Sequence, residues 1–187
     1  MFDLETMKLF FAMLSVGANL VVVAYVAVWV AARWSGAAAR LLDTINGHLL
    51  GYELLFGAIA AGVATIGSLY LSEVAHLIPC TDCWYQRIAM YPIFVILTIA
   101  TMRKDRSIGI YATTLAVIGG FISVYHYLIQ WFPDLEGTSC TTAVPCTSHW
   151  FRVFGFISIP YMALSAFTLV LMMMMALRAN NRATIQE

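Results

Sequence analysis

An all-α integral membrane protein is the fold class this sequence predicts, on three observations. The 187-residue chain is 61% hydrophobic and only 11% charged, whereas a soluble domain averages about 25% charged residues. Its apolar residues fall into five long runs separated by charges. A helix rising about 1.5 Å per residue needs a run of about 20 such residues to cross a hydrocarbon core of about 30 Å. No Walker or dinucleotide-binding glycine pattern, internal repeat or long linker breaks the sequence. The net charge is zero, which gives no footing for nucleic-acid binding.

The first run, residues 9–32, carries no charge and is bounded by Lys8 and Arg33. Its acidic approach (Asp3, Glu5) and its length favour a retained span over a cleaved signal peptide. Residues 33–51 form a polar connection in which Leu41, Leu42, Ile45, Leu49 and Leu50 fall near one helical face. This is either a short surface helix or a loop. Residues 54–72 make the second span, flanked by Glu53 and Glu73. An acid near the bilayer is a functional candidate, but at a helix end solvation at the interface is the simpler expectation. Residues 88–102 are short for a span and reach full length only if the helix starts near Cys83. Pro92 should bend this helix, and Arg103, Lys104, Asp105 and Arg106 end it. Residues 108–131 form the fourth span, where Gly119 and Gly120 permit close helix contact. Residues 132–150 are read as a loop, and residues 151–177 as the last span, followed by Arg178 and Arg182.

Five spans place Arg33, Arg40, Arg103, Lys104, Arg106, Arg178 and Arg182 on one side, and Lys8, Arg87 and Arg152 on the other. The positive-inside rule puts the richer side in the cytoplasm. All four cysteines then lie on the outer, oxidising side of the plasma (inner) membrane, where disulfides persist, and the C-terminus is cytoplasmic. Trp131, Trp150 and Phe151 flank the outer helix ends, as interfacial aromatics do. Arg87 and Arg152 sit at outer helix starts, where a cation opposes the helix dipole.

The chemistry centres on Cys80 and Cys83, a Cys-x-x-Cys pair where a hydrophobic helix begins. A helix N-terminus and a cation one turn on, Arg87, favour a thiolate. Asp82, beside Cys83, works against it. The second pair, Cys140 and Cys146, lies in the following outer loop. Four cysteines allow three pairings, and bridges across loops as short as 80–83 and 140–146 gain little from loop-closure entropy. Such bridges are poor staples and good exchangers. Two inert bridges, or a zinc site built from all four cysteines, are the alternatives, although the 140–146 spacing is wide for zinc. Residue 84 is Trp, so the pattern of c-type haem attachment is missing. Two dithiols on one side of a membrane suggest a relay passing electrons two at a time. The loop pair is placed to meet a soluble protein, and the helix-start pair to meet a lipid-soluble two-electron acceptor, a quinone. His126 and Gln130 share a face of the fourth span, where a histidine can move protons or donate to a quinone oxygen.

Residues 79–92 contain Pro79, Cys80, Cys83, Trp84, Tyr85, Gln86, Arg87, Ile88, Met90, Tyr91 and Pro92. This run strongly resembles the DsbB/BdbC family of membrane thiol:quinone oxidoreductases. His126 with Gln130 looks like the family's third core helix. Pro145–Cys146, followed by residues 154–160, is similar to its short-loop branch. The resemblance implies a DsbB-like four-helix transmembrane bundle plus one extra N-terminal transmembrane helix. Residues 1–48 are the extra helix and its connection, 49–178 the core with two cysteine loops, and 179–187 a tail. It also implies reoxidation of a DsbA-like thioredoxin-fold thiol oxidase, with electrons passed to ubiquinone or menaquinone. By match, Cys140 resembles the cysteine that meets the partner, and Cys146 the one that hands electrons to Cys80. Cys83 resembles the quinone-contacting cysteine, as a thiolate. Arg87 and His126 look like quinone-site residues, with Gln86 and Gln130 beside them as quinone-binding candidates and no metal. Some members carry Glu where this chain has Gln86, and an apolar residue is common where it has Asp82. The related VKOR-type quinone reductases typically place the loop pair before the quinone-side pair, and here the order is reversed. A membrane redox sensor or scaffold without quinone turnover is the rival of another class.

Overall fold

The five apolar runs fold into five membrane-length helices, with a shorter sixth between the first two. The computed structural model describes residues 3–137, 140, 144–148 and 150–186. Within them α1 spans Leu4–Ala31, α2 Gly36–Leu49, α3 Glu53–Leu69, α4 Thr81–Arg103, α5 Gly109–Trp131 and α6 Ile159–Gln186. All but α2 are long and apolar enough to cross a membrane, and the chain is a multi-pass membrane protein.

The connection after α1 is a helix, not a loop. Ser35 caps it, its hydroxyl accepting from the Ala38 N–H. Leu42, Ile45 and Leu49 pack on the core, while Leu41 and Leu50 are about half exposed. The buried stripe is therefore narrower than the sequence suggested. It faces α1 and α6.

Small residues set the helix spacing. In lipid, helices gain little from hydrophobic burial and associate through close packing. On α3 the buried face reads Gly57, Ala58, Ala61, Gly62, Thr65 and Gly67. A Cβ on Gly62 would stand 2.9 Å from the Phe94 ring of α4, and one on Gly67 2.9 Å from the Phe11 ring of α1. On α5 a Cβ at Gly119 would run into the fully buried Phe167 ring of α6, whereas Gly120 leaves ordinary room. Of the expected glycine pair, Gly119 is the one the contact needs.

Three expectations are corrected. The last span starts at Ile159, eight residues later than expected. Phe154 and Gly155 both take positive φ, 53° and 80°, and a right-handed helix cannot pass through them. The segment instead turns back on itself through an isolated bridge between Val153 and Ile157. The tail read at 179–187 continues α6 as far as Gln186, and Glu187 lies outside the described residues. Glu53 is not solvated at an interface. It is wholly buried and accepts from Arg106 through both oxygens, at 2.9 and 3.2 Å. Asn180 and the Gly51 N–H also donate to it, at 2.7 and 2.8 Å. Asn180 further donates to the Asn46 carbonyl, and Tyr25 to the Asn46 side chain. One polar clamp thus ties α1, α2, α3, the α4–α5 turn and α6 together at a single end of the bundle. Helix α4 runs without interruption through Pro92.

Candidate dithiol site

The other end of the bundle gathers the cysteines. Helix α4 begins at Thr81, so Cys80 is its N-cap, and its sulfur accepts from the Cys83 N–H at 3.3 Å. Of the two cysteines, Cys80 therefore occupies the capping position that best stabilises an anion. The two sulfurs lie 2.6 Å apart, within easy reach of disulfide formation. Cys140 and Cys146 are joined as a disulfide. They offer no thiolates in that state, so a zinc site of four cysteines does not describe this arrangement.

Both pairs share one small apolar cluster. Cys80, Ile129 and Cys146 are buried in it, with Cys83, Cys140 and Val144 packed alongside. The Cys140 sulfur is 4.0 Å from a carboxylate oxygen of the buried Asp82. Glu136 accepts from the Cys146 N–H at 2.9 Å and so anchors the loop. Arg152 donates to the Gln130 carbonyl at 2.9 Å, with its guanidinium over the Trp131 ring. Arg152 does not sit at the helix start expected of it, since α6 begins only at Ile159; it pins the segment after the loop to α5. Thr138, Ser139, Thr141, Thr142, Ala143 and His149 of this loop lie outside the described residues.

His126, buried on α5, places Nε2 3.6 Å from the Cys80 sulfur. Its Nδ1 lies 3.3 Å from the Gln86 side-chain nitrogen. A Gln86 amide donating to Nδ1 leaves the ring proton on Nε2, facing sulfur. The Cys80 thiol is pulled down from 9.0 to about 5. The hydrogen bond from Cys83 is the largest cause of lowering, followed by His126 and the Cys83 N–H, and burial opposes them.

Cys83 faces the other way. It lines a cavity of about 420 Å³ together with Gln86 and Arg87 of α4. The remaining wall is mostly apolar and comes from α1, α3, α6, Met90 and Tyr91 of α4, Leu71, the 77–79 segment and Trp150. Arg87 is held at the rim: it donates to the Ser68 carbonyl at 3.2 Å and lies over the Trp84 ring. Tyr91 bonds the Ser68 hydroxyl. Ser68 precedes a widened π turn at Tyr70–Val74, a local feature frequent at functional sites.

The sequence candidates therefore fall into two groups. Cys83, Gln86 and Arg87 line the large cavity. His126 and Gln130 do not reach it and border a small void behind Cys80 and Cys83. Gln86 bridges the groups through His126. Ser68 and Glu136 carried no sequence signal, because each acts through a partner distant in the chain. The α1 residues facing the cavity, Phe11, Leu14, Ser15 and Ala18, recur at helical spacing, but in a run apolar nearly all round that spacing does not single them out.

Comparison with known proteins finds relatives for the chain from α3 to α6. Residues 52–177 match the family model described as disulfide bond formation protein DsbB. "Disulfide bond formation protein C" of Bacillus subtilis (strain 168) is 46% identical over 121 residues, which are 64% of this chain and 88% of that protein. "Probable disulfide formation protein C" of Halalkalibacterium halodurans is 42% identical over 120 residues, 63% of this chain and 88% of its own length. "Probable disulfide formation protein" of Coxiella burnetii is 43% identical over 121 residues, 63% and 82% of the two chains. No solved structure gives a significant match.

Proposed function

Because the chain belongs to the DsbB family of disulfide bond formation proteins, we propose that it is a membrane thiol:quinone oxidoreductase that reoxidises a DsbA-like thioredoxin-fold partner. A role in disulfide formation comes with the family. The partner, the quinone and the sidedness are this reading's own. The observation that carries it is the position of Cys80 and Cys83. They stand between a loop disulfide on one side and, on the other, a membrane-embedded cavity with polar groups at one end.

The cavity suits a quinone. Its volume lies within the range of small-ligand sites, roughly 300–1,000 Å³. Its wall is mostly apolar; Gln86 and Arg87 meet Cys83 at one end, and Ser15, Ser68, Tyr91 and Ser165 are the other polar side chains on it. Arg87 spends one donor on Ser68, and a guanidinium has further donors to offer an oxygen. A bound quinone supplies a two-electron, two-proton acceptor.

The protein's own residues account for the transfer up to that acceptor. A thiolate of the partner attacks Cys140, the Cys140–Cys146 bond breaks, and Cys146 leaves as thiolate. The partner's second thiol then resolves the mixed disulfide, which releases the partner oxidised and Cys140 reduced. Cys146 attacks Cys80 of an oxidised Cys80–Cys83 pair and frees Cys83 on the cavity side. Cys140 closes back onto Cys146, releasing Cys80. The loop disulfide is restored, and two electrons rest on Cys80 and Cys83. His126 faces the Cys80 sulfur and holds a proton there, and Gln86 orients the ring. A DsbA-type partner is strongly oxidising, near about −120 mV, so only an acceptor kept oxidised can drain it. The seven-to-three arginine and lysine bias supports cysteine loops on the outer side and a cytoplasmic C-terminus.

The test is quinone consumption by the purified protein in detergent, with a reduced DsbA-like protein as donor and ubiquinone and menaquinone tried separately. Catalytic loss is expected with at least one of them. No loss with either, from protein shown to hold both disulfides, would replace this reading with that of a redox sensor.

A further inference from the structure

The family match begins at residue 52, so α1 lies outside it. Yet α1 supplies part of the cavity wall. Phe11, Leu14, Ser15 and Ala18 line the same space as Cys83, Gln86 and Arg87. They are spaced i, i+3, i+4 and i+7, which is one helical face.

That face is held in place. The Phe11 ring rests against Gly67 of α3, where a Cβ would stand 2.9 Å from it. The Asn19 side chain donates to Tyr161 and Ser165 of α6, both at 2.9 Å. Further along, Tyr25 enters the buried clamp through Asn46. Helix α1 packs chiefly on α6 and α2, which leaves a gap toward α3 beyond the Phe11 contact. The cavity occupies this gap, and its side wall includes Leu14 of α1 and Ile59 of α3, which are 43% and 52% exposed. The Ser15 hydroxyl is already spent on the Phe11 carbonyl. The wall therefore contributes shape and apolar contact and no free donor.

We infer that α1 is a built wall of the quinone pocket, which turns a groove open to lipid into a pocket with a lateral mouth between α1 and α3, and so sets how tightly the quinone is held. The inference rests on the quinone reading of the cavity. The ring lies toward Cys83 and Arg87, and the isoprenoid tail leaves past Leu14 and Ile59.

The test uses the full-length protein and a short-chain azido-ubiquinone as photoaffinity probe, with peptide mapping. Label in the peptide of residues 9–33, suppressed by excess unlabelled short-chain ubiquinone, is expected. Competed label confined to α3, α4 or α6 would overturn the inference. Ala18→Trp and Leu14→Trp, which overfill the pocket, are expected to raise the KM for quinone about tenfold. Both should leave the single-turnover exchange with reduced partner, run without quinone, unchanged. Leu20→Trp, on the lipid-exposed face of α1, is expected to change neither. Should the tryptophans prevent folding, Leu14→Ala is expected to lower the yield of competed label, and an unchanged yield would count against the wall. Competed label on α1 without catalytic turnover would keep the wall and defeat the oxidoreductase reading. Absence of competed label anywhere would defeat both.

Discussion

The two ends of the bundle treat their buried polar groups in opposite ways. At the clamp end, Glu53 is wholly buried and accepts from Arg106, Asn180 and the Gly51 N–H. At the cysteine end, Gln130 Oε1 and Ser158 Oγ are buried with no partner among the described residues. There the Cys80 sulfur also shares weak contacts with Cys83 and His126. A buried charge is tolerable only when paired and hydrogen-bonded, so the clamp end behaves as a lock. A group left partly unsatisfied costs stability and stays ready to bond something new. The difference teaches where rigidity is invested. One end fixes the helices so that the other can hold reactive sulfurs in register without being tightly bonded itself.

The largest expected effect comes from breaking the reactive end at its centre. Cys83→Ser removes the cavity-facing thiol, and turnover with either quinone should fall to background while thermal stability barely moves. Cys140→Ser should also stop turnover with the protein partner. Chemical reduction of the Cys80–Cys83 pair, followed by quinone-dependent reoxidation, should survive in that variant. Equal turnover in Cys83→Ser and the parent protein would end the relay mechanism.

Breaking the clamp end should produce the mirror image. Glu53→Ala leaves Arg106 without its carboxylate and removes one of the acceptors of Asn180. Removing one partner of a buried ion pair costs about 3–5 kcal/mol; because Arg106 is about one-third exposed, the lower end of that range is expected. The readout is the midpoint of thermal unfolding in detergent. Single-turnover thiol exchange in the surviving folded fraction should be unaltered. A variant that keeps its midpoint and loses exchange would show that the two ends do not divide the labour in this way.

A subtler effect sharpens the electrostatics of the reactive end. The Cys80 thiol is depressed to about 5, so in the reduced protein the alkylation rate of Cys80, limited by its burial, should already be at its plateau at pH 6 and fall as pH drops through about 5. Because the folded-state value lies below the ordinary thiol value of 9.0, thiolate formation stabilises the reduced protein fully above about pH 9. That contribution declines as pH falls and is gone below about 5. His126→Ala removes the second source of lowering and should move the alkylation midpoint upward. Asp105, beyond the end of α4, is also lowered, by its hydrogen bonds to Ser107. It is remote from the thiols, at the opposite end of α4, so Asp105→Asn should leave the alkylation profile alone.

Much of this division was legible in the sequence, but unevenly. The five spans follow from hydropathy, and Cys80, Cys83, Arg87, His126 and Gln130 stand out by residue type and spacing. The start of α6 was misread, because residues 151–158 are apolar enough to pass for helix. Gly155 and the Ser158–Ile159–Pro160 run were the available signals, since proline favours the first turn of a helix and serine the cap before it. The clamp was not legible at all. Glu53 and Arg106 are 53 positions apart, and Asn46 and Asn180 are 134 apart. No local pattern announces a pairing that only the packed bundle creates. The split of the candidates between cavity and void was hidden for the same reason. Helical spacing puts His126 and Gln130 on one face, but only the position of α5 beside Cys80 says what that face meets.

The smallest expected effect discriminates best between the two ends, because it compares like with like. Gln130→Leu and Asn180→Leu each replace a buried amide with an apolar side chain of similar size. At the clamp end, Asn180 donates to both Glu53 and Asn46, so its loss takes the side-chain donor from the Asn46 carbonyl, while Glu53 keeps Arg106 and the Gly51 N–H. An acceptor left unsatisfied costs about 1–3 kcal/mol. At the reactive end, Gln130 makes one long bond, 3.4 Å to the Ser148 carbonyl, and its own oxygen has no partner among the described residues. Removing that oxygen relieves a cost already present, so Gln130→Leu should be neutral in stability, or stabilising by up to about 1 kcal/mol. Exchange between the dithiols should slow, because Gln130 borders the void behind Cys80 and Cys83. Unfolding midpoints and single-turnover exchange rates on the two variants check both halves. If Gln130→Leu destabilised the protein as much as Asn180→Leu and left exchange untouched, Gln130 would be a structural residue and the contrast between the ends would narrow to the sulfurs alone.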